Sequence, residues 1–441
     1  MKMDPNDVTE INLRLGWPNP RVLPVKMLQE ASQVALSRPE AYTRDSLLEY
    51  GPDDGFKPLR DKIATWLTTF YLPSQPITTE RICISGGASQ NLACVLDTFT
   101  DPAVTQSIWM IAPTYFCACR VFDDAGFAGK LRAVPEDPEG LDIRFLSKQL
   151  EIAENTRPVS PVATKTRRPW NKTYHHVIYL VPTFANPSGR IVSAKRREEL
   201  IRVARKYDAL IVSDDVYDML AWDYAASESE NICKAASQPR LVDVDRYLDG
   251  GPSDDFGNTM SNGSFSKIIG PGLRTGWAEA TPKFVFGLSQ SGSTRSGGCG
   301  SQFSAAILAE IIDTKLPEYM HTVLQPTYAR RYRKIMGAIK KHLAPLGITT
   351  PPPDKSGVAG GYYVWLQLPG NIKASDVSRA AEQEYHLLVH PGSLFQVEGD
   401  TSDAQHMVLN GIRLCFVWAE EELLADGIER LAATILGLLK Q

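Results

Sequence analysis

Apolar and polar positions along this chain fall into two alternating periods. From Ala194 to Tyr207 the apolar residues recur at helical spacing, and Ala209 to Ser213 (ALIVS) then forms a short apolar run without alternation. A helix feeding a strand buried on both faces reads this way. Ile82 to Leu92 (ICISGGASQNL) gives the converse order, a strand leading through two glycines into a helical pattern. Val177 to Leu180 and Gly411 to Phe416 read as further strands, and Pro58 to Thr68, Gln325 to Leu343 and Glu420 to Leu439 as helices. Helical and buried-strand patterns in alternation predict an α/β fold, with a mostly parallel sheet covered by helices.

Chemistry gathers where these strands end. In GSFSKIIGPGLRTGW, Gly263 to Trp277, a lysine stands among small hydroxyl residues and an arginine follows a Pro-Gly break. Lys267 suits an aldehyde held as a Schiff base, while Ser264, Ser266 and Arg274 suit a phosphate. Pyridoxal 5'-phosphate asks for both together. Asp214, Asp215 and Tyr217 follow the ALIVS run, at the edge where open α/β sheets collect ligand groups. A buried carboxylate there favours a protonated pyridine nitrogen and so an electron-accepting ring. The glycines before Ala88 and Ser89 let backbone N–H groups approach an anion at a helix N-terminus. Arg413, between Ile412 and Leu414, is costly to bury without an anionic partner, and its planar fork matches a carboxylate.

The segment around Lys267 closely resembles the lysine motif of class I/II aminotransferases, the aspartate-aminotransferase-like (fold type I) enzymes. The pattern is nearest to the 2-aminoadipate, kynurenine and aromatic subgroup. The resemblance runs from Asn12 to Phe416 in a single order. It implies that Asp214, through Asp-x-x-Tyr spacing, meets the pyridine nitrogen, with Asp215 fitting that spacing less well. It implies that Tyr217 and Asn186 meet the 3'-oxygen, and that Gly87, Ala88 and Ser89 form the phosphate cup. It lays Tyr115 over the ring and sends Tyr50 to the phosphate of a neighbouring subunit, which requires a homodimer. Arg413 becomes the anchor of the substrate carboxylate, and Gly16, in NLRLGWP, the turn that closes over substrate. Lys267 then acts as general base and acid between an amino acid and a 2-oxo acid, in ping-pong kinetics. Expected boundaries are an N-terminal segment (1–47) that joins residues 325–441 in a small α+β domain, around a large cofactor-binding domain (48–324).

The chain departs from the family at three places. Ala88 stands where many members have a hydroxyl, while Arg14 and Trp17 replace small or aliphatic residues. Arg14 reads either as a contact for a distal carboxylate or as a solvated strand residue, and Trp17 either as pocket lining or as packing. The same electron sink also serves decarboxylation, racemisation, elimination and carbon–carbon bond formation, which leaves an enzyme of specialised metabolism as the alternative. A cofactor-sensing regulator would carry a DNA-binding region ahead of the match, and a silent homologue would not be expected to retain all six of Lys267, Asp214, Asn186, Tyr217, Arg274 and Arg413.

Composition adds boundaries. A net charge of −4 over 441 residues offers no basic footprint for nucleic acid. Seven cysteines without C-x-x-C pairs, mostly in apolar runs, read as buried thiols of a reducing compartment. The seven histidines lack metal-ligand spacing, and His175-His176 reads as the end of a loop. With neither a signal stretch nor a membrane span in view, a cytoplasmic protein is expected. Glu154 to Tyr174 and Ala226 to Asn262 read as insertions, candidate surface or lid loops.

Overall fold

The computed structural model describes residues 9–38, 47–156, 162–224, 233–352, 357–370 and 372–440. Its centre is a sheet of β1 (Ile82–Ser85), β2 (Ser107–Ala112), β3 (Leu131–Asp137), β4 (Gly140–Leu141), β5 (His176–Leu180), β6 (Ala209–Asp214), β7 (Thr259–Ser264) and β8 (Gly276–Glu279). The spatial order is β1-β8-β7-β6-β5-β2-β3-β4. Neighbours from β7 through β3 run parallel, whereas β8 runs antiparallel to both β7 and β1. Every residue of β2, β5, β6 and β7 is buried, so the continuous apolar runs arise because helices cover both faces.

The helix Ala194–Lys206 shows how the pattern becomes packing. Ser193 caps it by accepting from the Arg196 N–H at 3.2 Å, and Leu200, Ile201 and Ala204 enter the core under the sheet. Arg197 on the same helix is fully buried and binds the carbonyls of Val192, Pro182 and Pro239 together with Thr183 Oγ1. A second, antiparallel sheet of β9 (Tyr363–Gln367), β10 (His390–Pro391) and β11 (Gly411–Cys415) is ordered β9-β11-β10. The helix Gln325–His342 packs against the C-terminal helix Leu423–Leu439 beside it.

Three readings of the sequence change. His176 begins β5, pairing with Ser107 on one side and Ala209 on the other, and is fully buried with Nε2 3.1 Å from the Glu154 carboxylate. A polar pair that closes an insertion therefore supplies the first rung of a central strand. The C-terminal helix begins at Leu423 rather than Glu420, because Glu420 and Glu421 turn outward to pair with Arg21 and Arg330. Arg14 lies just beyond the short strand Ile11–Asn12, where Asn12 Oδ1 accepts from the N–H groups of Arg14 and Leu15 and turns the chain. All seven cysteines are free, and Cys117 is exposed in the first turn of a helix, Phe116–Phe122. Parts of both insertions lie outside the described residues.

Candidate active site

A cavity of about 360 Å³ opens at the carboxyl ends of β5, β6 and β7. It takes in every site residue expected from the sequence except Gly87 and Tyr50. Gly87 stands directly behind it with φ at +101°, and a Cβ there would lie 2.6 Å from Arg274 Nη2. The positive φ strains any other residue there, and a side chain would have to push the Arg274 guanidinium aside. Tyr50 is 83 % exposed and lines a separate cleft with Leu47, Phe56 and Gln302.

On one wall the helix Ala88–Phe99 begins, with no side chain capping its N-terminus and with Ala88 and Ser89 on the cavity. Four orphan N–H groups and the helix dipole make such an end attractive to an anion. Across from it Ser264 and Ser266 place their hydroxyls 3.0 Å apart, and Arg274 Nη1 reaches Ser266 Oγ at 3.4 Å. Arg274 itself holds a left-handed conformation, φ 48° and ψ 44°. That costs a non-glycine residue on the order of 1 kcal/mol and, as an observed outlier, points to function. Asn262, which the sequence did not single out, donates to the Ala88 carbonyl at 3.0 Å and accepts from Asn91 at 2.8 Å, tying β7 to this helix.

The two aspartates after β6 have different surroundings. Asp215 is enclosed: Ser213 donates to one carboxylate oxygen at 2.5 Å and Ser261 to the other. Asp214 accepts from the Tyr179 hydroxyl at 2.8 Å through Oδ2, while its buried Oδ1 has no partner among the described residues. Burial lifts its pKa to about 7 and Asp215 adds to the rise, while the Tyr179 hydrogen bond and the Lys267 charge oppose it. A cationic N–H donor belongs beside such an oxygen.

Lys267 is half-buried, and its Nζ donates to the Gly16 carbonyl at 2.9 Å. Desolvation lowers its pKa to about 8, helped by the charges of Arg413 and Arg274. Arg413 is 3 % exposed, and among the described residues it forms no ion pair. Nη1 donates to Asn186 Oδ1 at 2.9 Å and Nη2 to the Arg14 carbonyl at 2.8 Å, while Nε has no partner among the described residues. The guanidinium lies 4.2 Å from the Tyr363 ring and 4.8 Å from that of Phe395. Nearby His390, also missed by the sequence reading, is pushed down to about 3 by burial and by the charges of Arg413 and Arg14. Arg14 pairs with Glu382 at 2.8 Å while lining the cavity. Trp17 is exposed on the same wall, edge-on to Trp418 at 5.8 Å.

A free carboxylate oxygen, an amine of lowered basicity, an uncapped helix end facing two hydroxyls and an arginine, and a second, unpaired arginine line a single cavity. These residues fit pyridoxal 5'-phosphate and a carboxylate-bearing substrate. Comparison with known proteins agrees. The model of the family "Aminotransferase class I and II" matches residues 13–430. An uncharacterised protein of Saccharomyces cerevisiae is 34% identical over 439 residues, covering 96% of this chain and 95% of its own length. Aromatic-amino-acid aminotransferase 1 of Thermococcus litoralis is 28% identical over 432 residues, covering 98% of this chain and 89% of that protein. Among solved structures, kynurenine aminotransferase of Pyrococcus horikoshii superposes with a TM-score of 0.76 at 25% identity, covering 99% of this chain and 93% of that one. The chain therefore belongs to the class I and II aminotransferases, fold type I enzymes that transfer amino groups with the help of pyridoxal 5'-phosphate.

Proposed function

We propose that this enzyme moves the amino group of an aromatic or 2-aminoadipate-like L-amino acid to a 2-oxo acid such as 2-oxoglutarate, by ping-pong turnover. The observation that carries it is the pairing of a buried arginine having no carboxylate partner among the described residues with a cavity lined by Tyr115, Phe116, Trp17 and Arg14. The aromatic relatives named above support the same donors.

Each residue has a task in this reading. Pyridoxal 5'-phosphate supplies a reactive carbonyl carbon and a ring that accepts electrons. Lys267 would hold it and, once the substrate's amino group has taken its place, its free amine would take the proton from the substrate Cα and return one as general acid. Arg413 fixes the α-carboxylate so that the Cα–H faces that amine. Asp214 accepts the ring N–H on its free oxygen, and Asn186 and Tyr217 meet the 3'-oxygen. Gly87, Ala88, Ser89, Ser264, Ser266 and Arg274 hold the phosphate, with Tyr115 over the ring and Gly16 above the substrate. The exposed Tyr50 is free to reach a second copy of the chain, which supports a homodimer with shared sites. The domain limits 1–47 with 325–441 and 48–324, and a cytoplasmic setting, belong to the same proposal. Among the described residues no helix is long and apolar enough to cross a membrane.

The test is to add amino acids singly to the purified holoenzyme and follow its visible absorption. Aromatic or dicarboxylic donors are expected to bleach the bound cofactor, and 2-oxoglutarate to restore it. Bleaching only by donors outside both classes, or by none, overturns the substrate reading.

A further inference from the structure

Tyr363 opens β9, which pairs with β11 so that Trp365 lies opposite Arg413. Its ring is one face of the Arg413 slot, but its hydroxyl points to a different partner. Tyr217 and Tyr363 are both buried, and the Tyr217 hydroxyl donates to Tyr363 Oη at 3.3 Å. Among the described residues Tyr363 Oη has no other hydrogen-bond partner. Gly16 lies against it: a Cβ on Gly16 would fall 2.0 Å from Tyr363 Oη, so a side chain there would displace the buried ring.

We propose that Tyr363 is a positioning residue for Tyr217, its hydroxyl donating to Tyr217 Oη and so strengthening the hydrogen bond that Tyr217 gives to the 3'-oxygen of the cofactor. The inference rests on the reading that Tyr217 meets that oxygen. A phenol has one proton to give. Once Tyr217 directs its proton to the 3'-oxygen, the bond between the two phenols must reverse: Tyr217 Oη becomes the acceptor and the Tyr363 hydroxyl rotates to donate to it. Donors in series polarise one another, most strongly where water is excluded. Burial holds both phenols above their ordinary pKa, so both keep their protons through the working range. The ionisable groups facing the pair include Arg413, Tyr115, Tyr362, Cys117 and Cys415, with the Lys267 ammonium 5.9 Å from the Tyr217 ring.

A donor to the 3'-oxygen stabilises its anionic form and lowers the pH at which the visible spectrum of the bound cofactor changes. The experiment is a spectral pH titration of the holoenzyme with Tyr363→Phe, Tyr217→Phe and the double variant. Tyr363→Phe keeps the ring against Arg413 and removes only the hydroxyl. It is expected to raise the transition by about half a pH unit, in keeping with a long hydrogen bond, while KM for the amino acid stays within about twofold. Tyr217→Phe is expected to raise it by about one unit, and the double variant by no more than Tyr217→Phe alone. A shift in Tyr217→Phe with none in Tyr363→Phe overturns the proposal and leaves the role of Tyr217 standing. Additive shifts overturn it as well, since Tyr363 would then act independently of Tyr217. No shift in Tyr217→Phe removes the reading underneath and the proposal with it.

Discussion

Replacing Lys267 with alanine is expected to lower kcat by about 10⁴ while leaving the fold intact. In the proposed assignment the side chain performs two operations, holding the cofactor and moving the Cα proton, and neighbouring groups would not substitute for it. The Asp214 carboxylate would be directed to the ring nitrogen, and the Tyr217 hydroxyl is held by burial above its ordinary pKa and is a poor base. Only a few polar atoms contact the amine, chiefly the Gly16 carbonyl at 2.9 Å, so its removal should barely change thermal unfolding. Rapid-mixing kinetics and the visible spectrum measure the loss, and an alanine variant with wild-type turnover would sink the assignment of the site. The same lysine sets a pH dependence. Its pKa of about 8 lies below that of an ordinary lysine because burial disfavours the ammonium. In apoenzyme mixed with pyridoxal 5'-phosphate, the rate of covalent uptake should therefore rise about tenfold per pH unit below that value and level off above it. A rise continuing to pH 10 would show an amine in ordinary solvent.

The second large effect is expected at Asp214. Asp214→Asn preserves shape and the Tyr179 contact but replaces the charge beside the ring nitrogen with a neutral amide. Losing a preorganised charge at an electron sink costs about 10²–10³ in kcat, with substrate affinity little changed. Asp215→Asn is the control. Its carboxylate is bound to Ser213 and Ser261 and faced by Arg240 and Arg197, so its loss should lower stability more than the chemical step. Single-turnover rates and thermal unfolding of both variants decide the matter. A greater loss of rate in Asp215→Asn would exchange the two roles.

Much of this was legible because burial and chemistry coincide in the sequence. The run before Asp214 contains no polar break, so strand β6 and the location of its end could be read directly, and the lysine motif carried amine and phosphate groups together. Partners brought in from other strands could not be read. Tyr179 reaches Asp214 and Ser261 reaches Asp215 only because β5, β6 and β7 lie side by side, and sheet order is not written in periodicity. Asn262 looked like one polar residue within an insertion, yet it is a buried rung of β7 that faces the phosphate helix. His390 and Tyr363 lay in stretches that matched the family pattern, HPGSLF and GGYYVWLQLP, but were given no role, because a strand's pattern does not say which of its side chains reach the cavity. The wrong start of the C-terminal helix has a local cause, since Glu420 and Glu421 suit a helix by propensity but are held by arginines elsewhere.

The antiparallel return of β8 along β7, with Gly276 opposite Ser264, has a consequence for retention of the cofactor. Lys267 and Arg274 ride on the single connection between these strands, so in the proposed assignment amine and phosphate grips would form a chelate with a bite fixed by the hairpin. While either grip holds, the other end of the cofactor stays at an effective concentration on the order of millimolar or above, and recapture outpaces escape. Held in this way, the cofactor would stay with the enzyme through the part of each cycle in which Lys267 has let go.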